Sequence, residues 1–416
     1  MKNLIILFGL LFTLPVFSST DDTLAVRPFQ ISFISPMGSN GLESGKYVNR
    51  VSINIIAGIS KGTDGIEAAG FVNVDKENVR GGQFAGFANI TGKNLKGIQA
   101  AGYFNAVNGK VDGAQLSGFA NYAGDSVRGV QIAGFANMSK GGFRGGELAG
   151  FHNLSLKNSK GIQAAGFHNS VVGNLQGTQL AGFGNSVTDS IQGAQIAGYV
   201  NYARNVKGIQ AAGYVNIATK NMEGAQISGF VNVAKRIKGV QVSFVNIADT
   251  LEGQAFGFFS YSRNGYHKIE VKGSEALHVT ASFKTGTSRF YNIFTTGVTF
   301  GEKFRWAYGY GLGTAVPLAS KWFVNFDLTA HHINENEVLT RKVNLLGRLD
   351  ANVSYKAGKR IEVFFGPAYN ILVSRYEDSE NNVLGSELAP YSFYDYTGYK
   401  NTRIKMWVGG SAGVRF

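Results

Sequence analysis

Between Gly65 and Asn246 the chain repeats one nine-residue phrase, G-x-Q-x-A-G-F-x-N, at a step of 16 residues. Copies begin at Gly65, Gly81, Gly97, Gly113, Gly129, Gly145, Gly161, Gly177 and Gly193. They continue at Gly208, Gly224 and Gly239, where two spacers have each lost one residue. A short fixed period means that each unit meets mainly its two neighbours, so the chain builds a stacked array and not a globule.

Counting from the first Gly, position 7 is aromatic in the full-length copies, at Phe71, Phe87, Tyr103, Phe119, Phe135, Phe151, Phe167, Phe183 and onward, with Phe244 its equivalent in the shortened copy. Position 9 is Asn, as at Asn73, Asn89, Asn121, Asn137 and Asn169. Position 3 is Gln, as at Gln99, Gln115, Gln131 and Gln163, except at Glu67 and Glu147. Sixteen residues suit one coil of a narrow β-solenoid with two or three short strands, and like positions then stack about 4.8 Å apart. Stacked Asn and Gln would hydrogen-bond along the rod, and aromatic rows would pack face to edge. These three rows are the expected structural ladder. The copy at Gly239 lacks the Gly of position 6, which predicts that this Gly occupies a bend needing positive φ.

The rival geometry makes each unit one strand of a single large up-and-down β-barrel. The uniform spacing and the missing aromatic girdles favour the solenoid. Calcium-binding nonapeptide chemistry would need G-G-x-G-x-D, and the units carry no such Asp. His152 and His168 share position 8 of adjacent copies and could stack, but two ligands do not complete a metal site.

Beyond Tyr261 the rhythm gives way to strict alternation, the pattern of strands with two unlike faces. Trp322, Val324, Phe326 and Leu328 alternate with Phe323, Asn325, Asp327 and Thr329, and Ile404, Met406 and Val408 oppose Arg403 and Lys405. Eight such segments occur, an even number and the smallest usual barrel. Trp306, Tyr308, Tyr310, Trp322, Tyr355 and Tyr369 fall on the apolar face, as interface girdles would. Arg305, Asp327, Arg348, Asp350, Glu362, Arg403 and Arg415 fall on the other face and are expected to fill the lumen as paired charges. Residues 390–400, rich in Tyr, read as a long loop. A water-soluble sandwich would also alternate. Phe416, in phase with the apolar face, resembles the closing signature of bacterial outer-membrane barrels.

The first residues, Met1-Lys2-Asn3 followed by an apolar run to Phe17, read as a secretory signal peptide cleaved after Ser18. The expected organisation is all-β. Residues 1–18 are the signal peptide, 19–57 the N-terminal strands and cap, 58–261 a narrow β-solenoid of about twelve 16-residue coils, and 262–416 an eight-stranded antiparallel transmembrane β-barrel. There is no Cys, which excludes disulfides, thiolate metal sites and a lipid-anchored N-terminal Cys. The formal net charge is +13, spread without a concentrated basic stripe. That distribution speaks against nucleic acid and for outer-membrane lipid, envelope polysaccharide or lipopolysaccharide as partners.

Units such as Gly161-Ile-Gln-Ala-Ala-Gly-Phe-His-Asn169 and Gly239-Val-Gln-Val-Ser-Phe-Val-Asn246, with Ser52-x-Asn54 and Gly309-Tyr-Gly-Leu-Gly313, resemble bacterial surface-repeat proteins of didermal bacteria. The resemblance implies an exported envelope protein and supplies no catalytic residues. The expected function is therefore non-enzymatic: an outer-membrane anchor presenting a repetitive surface for binding, adhesion or spacing, with no cofactor. Transport through a large barrel needs the rival geometry. A lipid-modifying enzyme would have to draw on His278, His331 or His332, with Ser282 or Thr329 as nucleophile, and no triad is identifiable. Both ends of an even-stranded barrel face the periplasm, which would put the solenoid there, whereas the family's name points outward.

Overall fold

The computed structural model describes residues 25–301, 303–358, 360–378 and 383–416. The expected signal peptide lies outside them. The described chain is all-β, with a parallel-strand solenoid of about 13 turns and a closed eight-stranded antiparallel barrel. It divides into two compact units after Thr219.

In the first unit an atypical strand, Ala25–Ile34, pairs parallel with Tyr47–Ser60, the route between them being a short hairpin and a 3-10 turn at Gly41–Lys46. Regular coils follow. Each has a seven-residue strand such as Val79–Ala85 or Leu95–Ala101 and a four-residue strand such as Ala88–Thr91 or Phe104–Val107. Like positions pair in register and parallel: Gln83 faces Gln99, and Gln99 faces Gln115. Parallel neighbours exclude the single large up-and-down barrel, in which successive units would run antiparallel.

The two strands of a coil lie face to face over a thin core. The apolar residue two places before each unit, as in Val79, Leu95, Val111, Val127, Leu175 and Ile191, is fully buried. The row at position 11, which includes Val107, Ala123, Val171 and Val187, is fully buried too.

The expectation for the glycine at position 6 is corrected in its cause. Positive φ belongs to position 1, from +111° at Gly81 to +153° at Gly65. Position 6 does turn the corner between the two strands, but with ordinary φ. It must be Gly because a Cβ at Gly86 or Gly166 would lie 2.1 Å from the carbonyl oxygen of Gly70 or Gly150 on the preceding rung. A Cα hydrogen fits against that oxygen and a methyl does not.

The second unit opens with the last coils, whose strands include Val231–Val242, Val245–Phe256 and Phe259–Ser262. Gly253 starts one more degenerate copy, in register with Gly239. The barrel strands follow: Tyr266–Ser274, Val279–Thr287, Phe290–Thr299, Arg305–Pro317, Trp322–Glu335, Asn344–Lys356, Glu362–Ser374 and Thr402–Arg415. The sheet closes where Glu270 faces Arg415 in register. Only residues 411–415 of the last strand meet the first strand. The other half of that edge is covered by Tyr394–Gly398, so the expected loop at residues 390–400 contains a short strand.

Candidate functional site

Side chains at positions 3 and 9 point into the solenoid and are fully buried. The Asn row runs forward. Nδ2 of Asn73 donates to Oδ1 of Asn89 at 3.0 Å, Asn121 to Asn137 at 3.0 Å, and Asn169 to Asn185 at 2.9 Å. The same Nδ2 groups reach a backbone carbonyl of the next rung, as Asn89 does to Ala100 at 2.8 Å. The Gln row runs backward: Nε2 of Gln115 donates to Oε1 of Gln99 at 2.9 Å, and Gln131 to Gln115 at 2.7 Å. Two amide chains of opposite polarity thus satisfy a core too thin to be dry.

The Gln row is broken where Glu replaces it. Gln163 donates to Glu147 at 2.7 Å, but Oε1 of Gln131, which an amide at position 147 would have met, is buried without a partner. Burial pushes the Glu147 carboxyl up to about 7, against the opposing bonds from Gln163, Ser139 and Ser155. A proton on Glu147 would turn the acceptor-only carboxylate into a possible donor at this break in the row. Near the first coil, burial and then the adjacent Glu67 raise Asp75 well above the carboxylate range, and Gln83 donates to both carboxyls.

The aromatic row is corrected in two respects. Phe71, Phe87, Phe119, Phe151, Phe167 and Phe183 point outward at the corner, 36–51% exposed, with Phe135 half-buried in the same row, and they do not form a core. They also stack face to face. Phe71 and Phe87 have ring centroids 4.7 Å apart at 13°, Phe119 and Phe135 4.9 Å at 1°, and Phe167 and Phe183 4.8 Å at 9°. Equivalent rotamers repeated every rung can only be parallel; an edge-to-face row needs alternating ones. A shallow trough of about 670 Å³ runs across the rungs from Ala68 to Ile132, with Ala and Gly as its floor and Leu116 and Ile132 in its wall. A second trough of about 550 Å³ continues from Ile132 to Ile196.

His152 and His168 stack with centroids 5.4 Å apart. Burial, then the facing His168, lowers His152 to about 4, and burial lowers His168, so the pair is neutral near pH 7. Among the described residues no group of three or more His, Cys, Asp or Glu is placed to hold a metal ion.

Inside the barrel, Arg415 reaches Glu270 at 2.5 Å and Glu362 at 3.2 Å. Lys284 joins Glu270 to Asp327, each at 2.6 Å, and Tyr291 donates to Asp327 at 2.7 Å. Arg348 bridges Asp350 at 3.0 Å and Glu275 at 3.1 Å, and Lys272 meets Asp350 at 2.7 Å. Arg305 pairs with Glu335 at 2.9 Å. Arg403 is corrected: it leaves the lumen and grips Asp395 on the added strand at 2.7 Å, because its end of the last strand runs past the ring. The lumen partners Glu270 and Lys272 were legible in the alternation Ile269-Glu270-Val271-Lys272, and Lys284 in Ala281-Ser282-Phe283-Lys284. Glu275 was not, since it lies in a turn. An apolar layer including Leu277, Ile333, Leu346, Leu372, Leu388 and Trp407 lies between the Arg348 charges and the Arg305–Glu335 pair.

The enzyme candidates are dispersed. His331 is buried in the lumen, while His332 bonds the Thr340 carbonyl at 2.8 Å and the His278 ring accepts from the Phe300 amide at 3.1 Å. Ser282 donates to Thr295 at 2.9 Å, and Thr329 is directed at the Arg348 carbonyl.

Fold and surfaces define the chain as a repeat solenoid joined to a small closed barrel. No family model matches it, and neither does any curated protein or solved structure.

Proposed function

We propose that this chain is a non-enzymatic outer-membrane protein of a didermal bacterium, exported by its N-terminal segment. Its barrel is the anchor and its solenoid the presented surface, for binding, adhesion or spacing. One observation carries the reading. The barrel's outward residues include exposed Ile269, Phe283, Leu312, Leu328, Leu349 and Phe365, with no Asp, Glu, Lys or Arg among those described, while the charges pair inside. A soluble sandwich has no reason to invert in this way, and a bilayer demands it.

The short connections at residues 288–289, 318–321 and 357–361 share one end, and the longer ones at 336–343 and 375–401 share the other. Outer-membrane barrels keep short turns in the periplasm, which favours the periplasmic side for the chain entering the first strand. The resemblance to surface-repeat proteins supports an envelope location. The excess of Lys and Arg favours anionic lipid, lipopolysaccharide or polysaccharide as contacts.

Fractionation of a didermal host expressing the full chain tests this. The protein should sediment with outer membrane, and Leu328→Arg, at mid-strand, should cost about 2–4 kcal/mol and deplete the assembled form. Recovery of the full chain in a soluble fraction, with Leu328→Arg indistinguishable, would overturn the reading.

A further inference from the structure

In the first unit, positions 2, 4 and 7 of each coil point outward, and positions 8 and 10 lie on the outer side of the four-residue strand, mostly half-buried or, as at Ala88, Ala106 and Ala120, buried. From Gly65 to Ala212 not one of them is Asp, Glu, Lys or Arg. Outside the buried Glu67, Asp75 and Glu147, the charges of these coils sit in the turn at positions 12–14 or just before the next Gly. The coil is therefore amphipathic across its section, with a stacked aromatic edge, an aliphatic flank at positions 2 and 4, an uncharged mixed flank at positions 8 and 10 that includes His152, His168, Ser170 and Ser186, and a charged opposite edge. Repeat proteins that stay in water carry polar outer faces, and an uncharged surface this extensive marks an interaction site.

We propose that the solenoid lies partly sunk in one leaflet of the membrane that holds the barrel, with its aromatic edge in the hydrocarbon. The proposal rests on the barrel being membrane-embedded. Three observations select lipid over a second copy of the chain. The first is height. Five residues separate position 7 from position 2 on one flank and from position 12 on the other. At about 3.3 Å per residue each flank rises roughly 16 Å, against about 15 Å for half of a ~30 Å hydrocarbon core. The apolar rows fill one leaflet, and the charges emerge at headgroup level.

The second is charge. From Lys76 to Lys207 the outer charged positions hold 12 Lys or Arg and 4 Asp or Glu, and Arg80, Lys96, Arg128, Arg144 and Lys160 are exposed beside the flank. Such a row at the edge opposite the aromatics suits anionic headgroups, as in amphipathic interfacial helices. The third is that the backbone amide donors at the corner are paired, as hydrocarbon requires of donors. At the aromatic corner the amide of Gly86 donates to Ala69, and those of Phe87 and Ala88 both donate to Phe71, at 2.9–3.2 Å. The pattern recurs at Gly102, Tyr103 and Phe104.

The second unit, taken alone, points the same way. Its aromatic row runs from Phe244 to Phe258 at 4.9 Å and then onto the barrel's outer wall, where Phe258 stacks on Tyr310 at 4.7 Å and meets Phe294 edge-on at 5.4 Å. There the corner aromatics and the lipid-facing wall form one surface.

The chain has no Cys, so single cysteines can be placed and labelled. The full chain carrying Phe119→Cys, Lys93→Cys or Leu328→Cys, each labelled with a polarity-sensitive fluorophore, is reconstituted in phosphatidylethanolamine–phosphatidylglycerol vesicles. The Phe119 site should be quenched several-fold more by doxyl-labelled lipid than by iodide, and the Lys93 site the reverse. Iodide quenching at Phe119 with lipid quenching at Leu328 would overturn this inference alone. Shielding of Phe119 from both quenchers would mean that a second copy covers the edge, and would also overturn it. Failure of lipid quenching at Leu328 would remove the membrane anchor and this inference with it.

Discussion

The backbone N–H of Ser260, on the last rung of the solenoid, donates to Oδ1 of Asn292 on the outer wall of the barrel at 3.1 Å. Nδ2 of the same Asn donates to the Gly257 carbonyl at 2.7 Å, and Thr285 donates to the Ser260 carbonyl at 2.8 Å. An open sheet edge presents unpaired amides and carbonyls that invite aggregation, and arrays need caps. Here the barrel wall is the cap. Asn292 is outward-facing yet fully buried, which only this contact explains. Asn292→Leu removes the partners of the buried Ser260 amide and the half-buried Gly257 carbonyl and should cost about 2–4 kcal/mol. Amide exchange at Ser260 should accelerate while the barrel's amides stay protected. Unchanged protection at Ser260 would deny the capping role.

Two glycines one coil apart separate steric need from mere repetition. A Cβ at Gly161 would lie 1.9 Å from the Gly145 carbonyl oxygen, at a φ of +130°. Gly146 has nothing closer than a Leu148 methyl at 3.6 Å, and other copies hold Ala114, Ile162 and Ala194 at its position. Gly161→Ala should lose roughly 3–5 kcal/mol. Gly146→Ala should be neutral or gain up to about 1 kcal/mol. Thermal unfolding followed by circular dichroism distinguishes them, and equal shifts would contradict the stacking geometry.

Glu147 makes stability depend on pH. Its folded pKa, about 7, lies above the ordinary carboxylate value of 4.5. Between those values the folded chain holds a proton that the unfolded chain has released. Unfolding free energy therefore falls as pH rises from about 4.5 to about 7 and is flat beyond, a loss of roughly 3 kcal/mol at most. Glu147→Gln supplies a permanent donor to Gln131 and restores the row. It should stabilise the chain above pH 7 and remove Glu147's share of that slope, leaving the contributions of Asp75, His152 and His168. Melting curves from pH 4.5 to 8 that run parallel for both proteins would refute the assignment.

The inward rows were legible because a strict period leaves one partner for each Asn and Gln, the same residue 16 places away. The barrel was legible because alternation sorts Leu345 and Leu349 from Arg348 and Asp350 without any knowledge of the partner strands. The aromatic row was not. Position 7 lies at a corner, where alternation no longer says which side is in, and a repeated Phe fits a core row or an exposed stack equally well. Two glycines of each full-length copy likewise look alike in sequence, although position 1 needs positive φ and position 6 needs a missing Cβ. Arg403 was misplaced because alternation reports a face and not how far a strand outruns its ring. The Ser260–Asn292 cap joins residues related by no period.

The sidedness of position 7 gives the last prediction. Phe167 touches Phe151 and Phe183 only through its faces and is 41% exposed, so Phe167→Ala should cost about 1 kcal/mol, the worth of a stacked pair. Asn169, two residues on, is fully buried. It donates to the Leu180 carbonyl at 2.6 Å and to Asn185 at 2.9 Å, and accepts from Asn153 at 2.9 Å. Asn169→Ala strands those partners in the thin core, where each unmet group costs about 1–3 kcal/mol, and should lose about 3–5 kcal/mol. The larger, more hydrophobic side chain is thus the one that can be spared. If Phe167→Ala proves the more damaging of the two in thermal melts, the aromatic row is core and the outward face assigned to it is wrong.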